Sequence, residues 1–167
     1  MSGVFVAVLM GSESDLSVMQ GAADVLGSLG IRCEMKITSA HRTPAATQQY
    51  ISDAVSRGCE VFIAGAGLAA HLAGAVAAHT LKPVIGVPID SGPMQGMDSL
   101  LSTVQMPAGI PVATVAIGKT GAKNAGYLAA QILALKDEAL ALRVKAEREQ
   151  KAENVQAQDQ ALQQSRK

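Results

Sequence analysis

The sequence has no tryptophan and only four aromatic side chains, Phe5, Tyr50, Phe62 and Tyr127. Four scattered rings cannot form a platform on which successive bases stack, so a single-strand nucleic-acid reader is excluded. Net charge is also missing, because 14 basic residues balance 14 acidic ones. An electrostatic hold on DNA or on an anionic membrane needs a basic excess, and there is none. Cysteine is scarce. Cys33 and Cys59 form no CxxC pair and have no histidine at metal-ligand spacing, which excludes a structural zinc site. No run of about 18 apolar residues occurs, so no membrane span is expected. The segment from Met1 to Gly11 lacks a basic stretch, and its apolar run is too short for a secretion signal. A cytoplasmic protein with reduced thiols is expected.

What is present is a glycine- and alanine-rich body. The 167 residues suit one domain, large enough to bury about 68–70% of its unfolded surface without a staple. Residues 1–136 hold 16 of the 28 charged side chains, and all 16 glycines lie at or before Gly126. Residues 137–167 hold the other 12 charges, six of each sign. A single catalytic domain over 1–136 and a charged helical arm over 137–167 are therefore expected. In the arm, Leu140, Ala141, Val144 and Glu147 share a thinly apolar face that fades after Val155. It reads either as a solvated helix or as an arm lying on a neighbouring subunit, with disorder expected over 156–167.

Short apolar runs alternate with helical stretches through the body. Strands are expected at Val4–Met10, Arg32–Ile37, Glu60–Ala64, Pro83–Ile89 and Val112–Ile117. Helices are expected up to Leu29, from Pro44 to Arg57, over Leu68–Thr80, over Asp98–Met106, and from Ala122 through Lys136 into the tail. Runs apolar at every position are strands covered on both faces. The pattern predicts a three-layer α/β sandwich with a five-stranded parallel sheet, flavodoxin-like (Rossmann-like), plus a long C-terminal helix.

In such sheets ligands bind beyond the carboxyl ends of the strands. The unusual polar residues stand there. Gly11-Ser12-Glu13-Ser14-Asp15 follows the first strand. Its small residues let amides face an anion, and Asp15 can accept from sugar hydroxyls, although Ser and Asp are also ordinary helix caps. Ser39-Ala40-His41-Arg42-Thr43-Pro44 follows the second strand. It sets a proton carrier, His41, beside a fixed cation, Arg42, able to hold phosphate at two points. The plain alternative is a surface loop with Thr43 as a cap. His71 lies in the apolar stretch Ala64–Gly74, either packed or lining a pocket, while His79 reads as structural. The loops Pro88–Pro93 and Gln105–Pro111 are rigid but carry no chemistry of their own.

Taken together, Gly11–Asp15, Ser39–Pro44, Ala64–Gly74, Pro83–Pro88 and Asp98–Gly118 resemble the PurE family of purine biosynthesis. The likeness covers about residues 4–136. Ala69-Ala70-His71-Leu72 and Ser99–Pro107 point to its bacterial, mutase-type members. The resemblance implies conversion of N5-carboxyaminoimidazole ribonucleotide to 4-carboxy-5-aminoimidazole ribonucleotide. It implies His41 as the acid/base, with Ser12, Asp15 and Arg42 on the ribonucleotide, Ser39 beside its phosphate and His71 in the pocket. Gly11, Ser14, Gly67, Ala70 and Leu72 are expected to complete the substrate site. No cofactor or metal is implied, and the partners expected are the small ribonucleotide and further copies of the chain in a homo-octamer. The alternatives are a carboxylase using free CO2 and a non-catalytic nucleotide-binding module. Two positions depart from the family pattern: Leu68 stands where glycine is usual, and Ala73 where proline is.

Overall fold

The computed structural model describes residues 3–165. The elements run β1 (Phe5–Met10), a single 3-10 turn (Glu13–Asp15), α1 (Leu16–Ser28), β2 (Cys33–Ile37), α2 (Pro44–Ser56) and β3 (Cys59–Gly67). There follow α3 (Leu72–Ala77), β4 (Val84–Ile89), α4 (Met97–Val104), β5 (Ala113–Thr114), α5 (Gly118–Ala134) and α6 (Glu138–Ser165). The sheet order is β2-β1-β3-β4-β5 and every pairing is parallel. This is the flavodoxin-like arrangement the sequence predicts, with the strand order reversing between β1 and β3.

Side chains alternate across each strand, so one apolar run feeds two cores. Val6, Val8 and Met10 of β1 join Ile63 and Val87 under α1 and α5, packed on Met19, Leu26 and Ala125. Phe5, Ala7 and Leu9 face the other way, onto Ile51 of α2 and Leu72 and Val76 of α3. All six residues of β1 are buried, as a strand covered on both faces requires. Gly126 lets α5 lie close on α1, since a Cβ there would stand 2.9 Å from the Ala22 carbonyl oxygen.

The largest differences from the sequence reading lie in the third helix, the fifth strand and the last helices. The third helix starts at Leu72 rather than Leu68, because Leu68 has φ of +55° and cannot belong to a right-handed helix. The fifth strand pairs over only two residues, being an edge strand that leaves the sheet as the chain turns at Gly118 (φ +73°) into α5. α5 therefore begins at Gly118, four residues before Ala122. The last helix is two helices. Asp137 interrupts it, its Oδ1 accepting the Leu140 amide at 2.9 Å to open α6. α6 then runs as helix to Ser165, across a stretch the sequence reads as disordered; residues 166–167 lie outside the described residues. Its inner turns dock on their own chain: Leu140 is buried with Val25, Leu29 and Ala130, and Arg143 Nε donates to the Leu29 carbonyl at 2.9 Å. Tyr127 and Glu147 are hydrogen-bonded across α5 and α6.

Candidate active site

The loops after β1, β2, β3 and β4 meet around a cavity of about 490 Å3. That volume lies within the range of roughly 300–1,000 Å3 typical of small-molecule sites. It stands at the carboxyl ends of the strands, beside the reversal in strand order, where the fold leaves helix starts and loop amides without strand partners.

After β1, Gly11, Ser12, Ser14 and Asp15 line the cavity. The Ser12 amide donates to Asp15 Oδ2 at 3.1 Å, and the Ser12 and Ser14 hydroxyls are 2.5 Å apart. Asp15 is buried, so the loop is closed on its own carboxylate. The hydroxyls stay on the exposed side, available to a ligand.

After β2, a chain of threonines fixes the next loop. The Thr38 amide donates to the Met10 carbonyl at 2.9 Å, and the buried Thr38 and Thr47 hydroxyls are 2.7 Å apart. Thr43 Oγ1 accepts the Ser39 amide at 3.0 Å instead of capping α2. Pro44 opens that helix, where its missing N–H costs nothing. The loop so held presents Ser39, Ala40, His41 and Arg42 to the cavity. Arg42 Nη2 donates to the Gly11 carbonyl at 2.8 Å, and its backbone amide and Nε both reach Ser39 Oγ, at 3.1 and 3.4 Å. The guanidinium thus straps the β2 loop to the β1 loop. Among the described residues Nη1 has no partner, which leaves donors for an anion.

After β3, Gly67, His71 and Leu72 line the cavity as the sequence predicts, together with Ala66, Leu68 and Ala69. His71 stands just before α3 and meets His41: its Nδ1 lies 2.5 Å from His41 Nε2, with the rings edge to face at 80°. One nitrogen of that contact must donate and the other accept. Ala70 does not line the cavity; it is buried behind it. Ser91, after β4, does line it and is missed by sequence reasoning. The only local signal was its place in a Gly/Pro loop behind a strand. Ser91 comes close because Gly67 has no side chain: a Cβ there would stand 1.8 Å from Ser91 Oγ.

Larger clefts exist elsewhere. One of about 870 Å3 opens at the amino ends of the strands, lined by Arg32, Glu60 and Arg143, and among the described residues that line it there is no imidazole, thiol or hydroxyl. His79 lines another, of about 820 Å3, beside Leu81 and Lys82. The groups whose titration the fold displaces also lie away from the cavity. Burial pushes the Cys59 thiol to about 11 and the Tyr50 phenol to about 12, while hydrogen bonds from Arg57 hold Glu34 below the usual carboxylate range. Among the described residues no three His, Cys, Asp or Glu side chains gather as metal ligands, and no helix is long and apolar enough to cross a membrane.

Residues 5–154 match the family model described as AIR carboxylase. The chain is 54% identical to the N5-carboxyaminoimidazole ribonucleotide mutase of Vibrio parahaemolyticus over 150 residues, covering 90% of this chain and 93% of that one. The protein of the same name from Bacillus subtilis is likewise 54% identical, with the same coverage. That from Pseudomonas aeruginosa is 59% identical over 78% of this chain and 80% of its own. Among solved structures, Treponema denticola PurE superposes with a TM-score of 0.86 at 32% identity, over 96% of this chain and 99% of that one. The family match over most of the chain, the close relatives and the shared fold place this chain in the AIR carboxylase (PurE) family.

Proposed function

We propose that this chain is an isomerase of purine biosynthesis that converts N5-carboxyaminoimidazole ribonucleotide to 4-carboxy-5-aminoimidazole ribonucleotide. The observation that carries the reading is the meeting of His41, Arg42, Ser12 and Asp15 around one cavity. The names of relatives 52–59% identical to the chain support it from a second direction.

The chemistry follows from the substrate. Its carboxylate is a carbamate on the exocyclic nitrogen. Moving it to ring carbon breaks an N–C bond, frees CO2 and forms a C–C bond. The electron pair of the broken bond stays on nitrogen, which takes a proton. The ring carbon then attacks CO2 and gives up a proton. One imidazole serves both transfers, so His41 donates first and accepts second. Arg42, through Nη1, and the Ser12 and Ser39 hydroxyls hold the phosphate and ribose, with Asp15 fixing the loop that presents them. Their fixed geometry replaces a chance encounter with an oriented one. Ala66, Gly67, Ala69 and Leu72 give the cavity a small apolar wall in which CO2 is kept from water.

The family's own description favours one rival, a carboxylase acting on the uncarboxylated aminoimidazole ribonucleotide and free CO2. The discriminating experiment supplies the carbamate substrate with labelled bicarbonate, without ATP or added metal, for a single turnover. Product carrying only the substrate's own carboxyl carbon supports the mutase. Label entering at the level of free bicarbonate overturns it.

The working form is a cytoplasmic homo-octamer, with residues 1–136 as the catalytic domain and 137–167 as an arm. Met97, Leu101 and Val104 support an assembly, since they form an exposed apolar stripe along one side of α4. A monomer mass by light scattering at micromolar concentration overturns this part.

A further inference from the structure

The loops beyond β3 and β4 interlock through two glycines. Ser91 occupies the space over Gly67, and Leu68 does the same over Gly92, where a Cβ would stand 2.5 Å from Leu68 Cδ2. Both members of the second pair have left-handed backbone, with φ of +55° at Leu68 and +83° at Gly92. Glycine adopts that conformation freely, whereas leucine does so against its own Cβ. Core packing does not hold Leu68 there, because it is 51% exposed. It also lines the active cavity. A side chain that is half exposed and also lines a cavity stands at its mouth. Of the neighbouring residues that line the cavity, Ala66, Gly67, Ala69 and Ser91 are small and Leu72 is buried, so Leu68 is the large apolar side chain exposed there.

We propose that Leu68 is the specificity-determining wall that retains CO2: an apolar side chain clasped on Gly92 that closes the gap between the β3 and β4 loops while the carboxyl group is unattached. This rests on the mutase reading above. Once the N–C bond has broken and the nitrogen has taken its proton, CO2 has two fates. Attack by the ring carbon, with that carbon's proton passing to His41, gives the carboxylated product. Escape leaves the aminoimidazole ribonucleotide and free CO2, and His41 regains its proton from water. A small apolar molecule is held by an apolar wall and by exclusion of water, which is what an uncharged side chain at the mouth supplies. Leu68 therefore sets the partition between the two fates rather than the binding of the nucleotide.

The test compares Leu68→Ala and Leu68→Gly with the unaltered chain. The carbamate substrate is supplied without bicarbonate, and the initial rates of decarboxylated and carboxylated nucleotide are measured by chromatography. Spontaneous loss without protein is subtracted. Alanine removes the cap but keeps the β-carbon and the strained φ; glycine also relieves the strain and so guards against a folding failure. The ratio of decarboxylated to carboxylated nucleotide is expected to rise at least threefold in both variants. A smaller rise in Leu68→Ala overturns the inference, including a rise confined to Leu68→Gly, which assigns the effect to the backbone. Failure of the unaltered chain to form carboxylated product overturns the mutase reading, and this inference with it.

Discussion

His41 Nε2 and His71 Nδ1 lie 2.5 Å apart although 30 residues separate them in the chain. The contact joins the β2 loop to the start of α3 and fixes the plane of the His41 ring against a second imidazole at 80°. His71 is a positioning residue on this view. Replacing it with alanine frees the His41 ring to turn, and a reacting group displaced by about 1 Å loses on the order of 10²-fold in rate. His71→Ala is expected to lower kcat by about that factor while changing KM far less. Steady-state kinetics decide it: a change confined to KM makes His71 a binding residue instead.

Arg42 has a different signature. Its hydrogen bonds to Ser39 Oγ and the Gly11 carbonyl need a planar fork with donors at fixed angles. Lysine keeps the charge and loses the fork. Arg42→Lys is expected to raise KM about tenfold, equivalent to about 1.4 kcal/mol, and to leave kcat within about threefold. An unchanged KM removes Arg42 from the nucleotide site.

Cys59 gives the fold a measurable alkaline limit. Its thiol is fully buried and burial raises its pKa to about 11. In the unfolded chain it ionises near 8.5. A raised value means that the folded state resists ionisation, so stability is intact below the unfolded value and is lost as pH rises from there towards 11. Denaturant melts at pH 8 and pH 10.5 test this on Cys59→Ala. The variant is expected to lose about 2 kcal/mol less between those two pH values than the unaltered chain. Equal losses contradict the burial account.

Much of this architecture was legible in the chain before it folded. β1, β3 and β4 are apolar at nearly every position because both faces are covered, and that signal is local. Polar residues placed directly after those runs marked the cavity, and Ser12, Asp15, Ser39, His41, Arg42 and His71 all line it. What stayed hidden depends on partners distant in sequence. Ser91 reaches the cavity only because Gly67 leaves room for it. Leu68 looked like the first residue of a helix, but its φ is positive and its side chain lies over Gly92, 24 residues further along the chain. β5 has the composition of a longer strand but has only β4 beside it, so two residues pair and the rest leaves the edge. The break at Asp137 carried a local cue, an aspartate three residues before Leu140, inside a stretch otherwise rich in helix formers.

The proton-carrying role of His41 is tested most directly by mixing excess His41→Asn protein with the carbamate substrate and following a single turnover beside the unaltered chain. Asparagine keeps a polar group of similar reach but cannot exchange a proton near neutral pH. Nucleotide affinity, measured by calorimetry on the product, is expected to stay within about threefold, while rearrangement slows by about 10²- to 10⁴-fold. Rearrangement within tenfold of the unaltered rate contradicts His41 as the group that moves the proton.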